Sequence, residues 1–225
     1  MTKRFAAQLL NYPADYAWAY AVEAYQINGG YFKRPEWDWV NEELVQTRAA
    51  NREIVVARLK SEEQPNNELL AAGRDYREFW QSQMLLLLND RANDFVKSVI
   101  VVAEKDTVES ELELSIIVSC IETADKQRKQ QAIEDRKYSL SSSWRYSVDS
   151  AVEFHNNVEV IRCQYIDKAG AHAIDSIIDG DLYFWWSKNF LEVKNYRYLR
   201  GRVKNTSVDF ATKVPVTQLN YVKVL

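Results

Sequence analysis

The spacing of apolar side chains changes once along this chain, and the change divides the sequence. Between Ala14 and Ile27, the residues Trp18, Ala21, Val22 and Tyr25 recur at the interval that places them on one helix face. Asn28-Gly29-Gly30 then supplies the left-handed residues that stop a helix. Pro35 suits the first turn of a second helix, with Glu36 and Asp38 where the positive helix end favours carboxylates. Its apolar stripe reads Trp37, Val40, Leu44, Ile54, Val55 and Leu59 and ends at Pro65-Asn66-Asn67. A third segment gathers Leu69, Leu70, Tyr76, Phe79, Trp80, Met84 and Leu87 on one broad face, opposite Arg74, Asp75, Arg77 and Glu78. To this point the pattern predicts helix throughout, with Trp37, Trp39 and Trp80 in its core.

The next segments are ambiguous by pattern. Residues 95–102 are apolar and β-branched, which fits a buried helix or a strand equally. Ser110 and Glu113 have the form of a capping box, while residues 111–116 also alternate as a strand would. The charged residues 125–137 read as the solvated end of a helix or as a linker, and Ser139-Leu140-Ser141-Ser142-Ser143 marks a boundary. After Trp144 alternation with period two takes over. Strands are predicted at residues 158–165, 171–178, 182–186, 192–204 and 216–225, with Asp179-Gly180-Asp181 as a hairpin turn. The predicted class is α+β: a mainly helical domain, residues 1–143, and a small five-stranded barrel, residues 144–225.

Composition narrows the function. A chain of 225 residues with 47% hydrophobic and 27% charged side chains is neither disordered, collagen-like nor a disulfide scaffold. Its net charge of −3 argues against a general coat for duplex DNA, but the total hides an asymmetry. Residues 1–143 sum to −5, residues 144–225 to +2, and residues 187–225 alone to +6. Cys120, Cys163, His155 and His172 lack the spacing of a zinc site, so no metal or cofactor is expected; the histidines read as structural and the cysteines as small core residues. The run Phe5-Ala6-Ala7-Gln8-Leu9-Leu10 is too short for a signal-peptide core, and residues 84–88 fall well below the roughly 20 needed to span a bilayer. The expectation is a cytoplasmic protein with no membrane partner.

One cluster carries candidate chemistry. Lys194, Tyr196, Tyr198, Arg200, Arg202 and Lys204 share one parity of a strand, so flat rings and phosphate-neutralising cations lie along one line. Tyr183-Phe184-Trp185-Trp186 places aromatics on both faces of the neighbouring strand. This pattern suits a surface for single-stranded nucleic acid, although Tyr and Arg also pair well across any solvated sheet.

The C-terminal third also resembles a known family. The stretches Val158-Glu159-Val160-Ile161-Arg162, Asp179-Gly180-Asp181-Leu182-Tyr183-Phe184-Trp185-Trp186, Tyr198-Leu199-Arg200-Gly201-Arg202-Val203-Lys204 and Thr217-Gln218-Leu219-Asn220-Tyr221-Val222-Lys223-Val224 look like OB-fold domains of phage-type and other replication-associated proteins. In such domains nucleic acid crosses the middle strands and the flanking loops. The resemblance implies binding of single-stranded nucleic acid, DNA in the first instance, through Tyr183, Trp185, Lys194, Tyr196, Tyr198, Arg200, Arg202 and Lys204. The acidic helical domain would then dock protein partners or self-associate into a homo-oligomer.

Two other readings compete. In the first the barrel is an assembly module whose cations meet acidic protein surfaces. In the second Asp175, Glu192 and Lys194 form the D…E-x-K set of a Mg²⁺-dependent nuclease, the carboxylates holding the ion and the lysine orienting water.

Overall fold

The computed structural model describes residues 11–61, 63–88 and 93–225, leaving aside the side chains of Leu88 and Asn156. The apolar run Phe5–Leu10 lies outside the described residues. The protein is mixed α+β with a helical N-terminal part, and it divides into two compact units, residues 1–127 and 128–225. No helix among the described residues is long and apolar enough to cross a membrane.

The first unit is built on α1 (Ala14–Asn28), which buries alanines around Trp18, Tyr20 and Val22. Gly29 in the left-handed conformation ends it, its N–H donating to the Gln26 carbonyl. Flanking α1 are α2 (Asn51–Lys60) and α3 (Asn67–Ser82); α5 (Asp94–Ala103) packs on α3, and α4 (Met84–Leu88) is a single short turn. A side chain at Gly73 of α3 would meet the Ala19 backbone N at 2.6 Å, so the two helices touch backbone to backbone. Tyr12–Pro13 (β1) pairs with Thr107–Val108 (β4). The ambiguous segments resolve as helix. Asn93 caps α5 by accepting from Val96 N at 2.9 Å, and Val96, Val99, Ile100 and Ala103 are buried at helical spacing. Ser110 and Glu113 form the reciprocal capping box of α6 (Glu111–Tyr138).

One helix expectation is overturned. Residues 36–48 are a hairpin of β2 (Glu36–Val40) and β3 (Glu43–Arg48), joined by Asn41 and Glu42, both at positive φ. Trp80 is fully buried as expected, whereas Trp37 and Trp39 are 53% and 71% exposed and belong to no core.

In the second unit, β5 (Ala151–Ile166), β6 (Ala171–Ile178), β7 (Asp181–Ser187), β8 (Asn195–Val208) and β9 (Pro215–Val224) close in the order β5-β6-β7-β9-β8. All neighbours are antiparallel except β7 and β9, which run parallel. β5 is long enough to serve both sides: Ala151 to Glu159 pair with β8, and Val158 to Ile166 with β6. The Asp179-Gly180 turn forms with both residues at positive φ, as its sequence requires. Inside the ring sit Phe154, Val158, Ile174, Tyr183, Trp185, Leu199 and Leu219.

A second, outer cluster joins Ile161, Ile177, Leu182 and Val216 to Ile133 of α6 and to Leu140. The last turns of α6 therefore lie on the outside of β5, β6, β7 and β9. A buried charge cluster pins them there: Lys137, 5% exposed, reaches Asp175 at 2.6 Å and Asp209 at 3.0 Å, and Arg162 reaches Asp175 at 2.8 Å. The Ser143 N–H and the Arg145 guanidinium hold the buried Asp181 in the same way.

Candidate nucleic-acid interface

Alternation along β8 sends Leu199 and Val203 inward, so Arg200, Arg202 and Lys204 point to solvent. Side chains two residues apart on a strand are about 7 Å from one another, so Arg200 and Arg202 are neighbours on the barrel surface; Lys204 follows at a second bulge, where β8 has one residue between Val203 and Asn205 and β9 has none between Leu219 and Gln218. β5 contributes Glu153 opposite Arg200 and His155 opposite Tyr198; β9 contributes Asn220 opposite Arg202 and Lys223 opposite Arg200. Two like charges directly across an antiparallel pair repel unless an anion lies between them. Arg200, Arg202, Lys204 and Lys223 form no ion pair among the described residues.

An aromatic residue that alternation assigns to the interior completes this surface. In a regular ladder Tyr221 would share the inward parity of Leu219. Instead β9 places both Tyr221 and Val222 in the interval where β8 has only Gly201, because Arg200 pairs with Lys223 and Arg202 with Asn220. This bulge reverses the alternation: Val222 and Val224 pack against the barrel interior, and Tyr221 is turned out to 86% exposure at φ 54. A Cβ on residue 201 would meet the Asn220 oxygen and Val222 Cγ2 at 3.3 Å, so Gly201 gives the bulge its room. Ala151, Glu153, Arg200, Gly201, Arg202 and Tyr221 line a groove of ≈ 570 Å³. Tyr198 lies half-buried at its side, its ring 5.3 Å from that of His155. Partial desolvation and the neighbouring Glu153 carboxylate raise its phenol above the ordinary value, so it stays protonated.

The eight residues expected to contact nucleic acid separate into two groups. Tyr198, Arg200, Arg202 and Lys204 share the open face. Tyr183 and Trp185 do not: both are 2% exposed inside the barrel, because β7 turns its odd parity inward. Tyr196 packs against the core and donates its hydroxyl to the Glu192 carbonyl. Lys194 precedes β8 and pairs with Glu192 at 2.5 Å. Tyr221 and Lys223 were missed. The signals for them were an adjacent Tyr-Val pair in β9 and a lone glycine among the cations of β8.

The nuclease set does not assemble. Asp175 is buried and neutralised by Lys137 and Arg162, while Glu192 is exposed beside Lys194. Among the described residues no three His, Cys, Asp or Glu side chains converge to hold a metal ion. Cys120 and Cys163 are free, and burial pushes the Cys120 thiol well up. Compared with family models, curated proteins and solved structures, the chain matches none.

Proposed function

We propose that the barrel unit binds single-stranded nucleic acid along the outer face of β5, β8 and β9. The observation that carries this reading is the bulge that extrudes Tyr221 into a groove flanked by Arg200 and Arg202. A positive φ at a tyrosine costs stability; the bulge that imposes it turns Val222 and Val224 inward and presents the Tyr221 ring bare beside cations that form no ion pair. Bases stack on such a ring while phosphates follow the arginine and lysine row.

Two further features support the reading. The ring order, with its third and fifth strands parallel, supports the OB-fold reading. Within such folds the ligand favours the second and third strands; here the outside of β6 and β7 carries Ile133, Lys137 and Leu140, which directs the strand onto the opposite side. DNA is the first candidate, in replication, recombination or transcription.

The test is anisotropy of a labelled single-stranded oligonucleotide titrated with the full chain. Binding that falls more than tenfold in Arg200→Glu/Arg202→Glu, with unchanged circular dichroism, supports the assignment. Undiminished binding in that variant removes it. Retention of acidic peptides with no oligonucleotide affinity selects the assembly-module reading.

A further inference from the structure

The groove beside Tyr221 holds one group that phosphate does not explain. Among the described residues that line it, Glu153 alone carries a carboxylate, on the outward parity of β5 with Ala151 and His155. Glu153 opposes Arg200 in the β5–β8 ladder, yet its one ion-pair neighbour among the described residues is His155, whose Nε2 is 3.4 Å away. The side chain is 56% exposed. A carboxylate has about four lone-pair sites, so the Tyr198 phenol beside it leaves most of them open to a ligand. A fixed negative charge in a track for phosphates weakens binding by repulsion, unless the ligand brings hydrogen-bond donors to meet it.

Bases differ in the donors they bring. Thymine and uracil offer a single ring N–H, and cytosine and adenine an exocyclic amino group. Guanine presents its ring N1–H and its N2 amino group side by side, two parallel donors for the two oxygens of one carboxylate. A charged, bidentate match of this kind is the strong form of hydrogen bonding. Guanine also carries an acceptor, O6, next to those donors, and Arg200, opposite Glu153, can meet it. The groove has room for the base. β5 and β9 lie two strand spacings apart across β8, about 10 Å, which a ring stacked on Tyr221 bridges with its edge toward Glu153. Gly201 and Ala151 leave the floor between them free of large side chains.

We propose that Glu153 is a specificity-determining residue and that this groove selects guanine from a single strand. The inference rests on the nucleic-acid reading of the same face and adds a base preference to it. Tyr221 supplies a platform that accepts any base, and the cations supply contacts that any phosphate satisfies. Glu153 supplies what those groups lack, a penalty for every base that cannot donate to it. A buried or half-open carboxylate left without donors disfavours the wrong base as much as the matched one is favoured.

Anisotropy titrations of the full chain against single strands of equal length test the proposal: one all thymine, one alternating thymine and guanine, one alternating thymine and inosine. The guanine strand should bind about tenfold more tightly than the thymine strand. Inosine keeps N1–H and O6 but lacks the amino group, so its strand should lose most of that gain. Glu153→Gln, which cannot accept both donors, should bring the ratio of guanine to thymine affinity to about one, with unchanged circular dichroism. It should also tighten binding of the thymine strand, because a charge that repels phosphate is gone. Equal affinity for the guanine and thymine strands overturns the proposal and leaves the nucleic-acid reading standing. A preference that survives Glu153→Gln, or that inosine retains in full, overturns it equally. Absence of binding to every strand overturns both.

Discussion

Tyr221 joins a cost in backbone conformation to a gain in exposed surface. At φ 54 it occupies a region that bulky side chains rarely enter. Replacing it with glycine should stabilise the chain by about 1 kcal/mol in urea unfolding. The same change should weaken oligonucleotide binding about 5- to 150-fold, the equivalent of one lost stacking contact. A variant that is both more stable and equally competent would show that the bulge serves packing alone. Lys137 shows the opposite economy. Its ammonium is buried between Asp175 and Asp209, and removing one partner from such a cluster leaves an uncompensated charge behind. Lys137→Met should cost about 3 kcal/mol in chemical denaturation, and a loss near zero would contradict the latch assigned to it. Neither residue could be read from sequence. Tyr221 changes parity at a bulge that only its ladder partner defines, and a lysine in a charged stretch is ordinarily solvated.

At the level of elements, legibility followed how local the determining signal was. The Asp179-Gly180 turn carries its own backbone requirement, and it formed where alternation placed it. The capping box of α6 likewise decided a segment that hydrophobic pattern left open. The β2–β3 ribbon was misread because Trp37, Val40 and Leu44 satisfy helical spacing, while the turn that defines the hairpin, Asn41-Glu42, lacks a glycine. Glu42 sits at φ 67, where a side chain costs about 1 kcal/mol. Glu42→Gly should therefore slow hydrogen exchange of the β2 and β3 amides about fivefold, a gain of about 1 kcal/mol in local opening. Unchanged protection would mean that the turn does not limit opening of the ribbon.

Across the whole molecule, a net charge of −3 is the sum of an acidic first part and a locally basic strand surface. The division was visible in the sequence because charge is counted without knowing the fold. Which side of the barrel bears the cations was visible only in part: parity placed Arg200, Arg202 and Lys204 together, but covering of β6 and β7 by the end of α6 depends on tertiary packing. The resulting track is short, with three cations on β8 and a fourth, Lys223, on β9. Its electrostatic contribution is correspondingly limited and countable, since each neutralised phosphate of a single strand contributes about −0.7 to the slope of log K against log salt.

Measuring that slope for the full chain on a single-stranded oligonucleotide tests the central claim most directly. Three or four contacts predict a slope between about −2 and −3, a loss of about 20- to 50-fold between 50 and 200 mM salt. Arg200→Ala/Arg202→Ala should make the slope shallower by about 1.4. Absence of binding at 50 mM salt, or an identical slope in the double variant, would contradict the account.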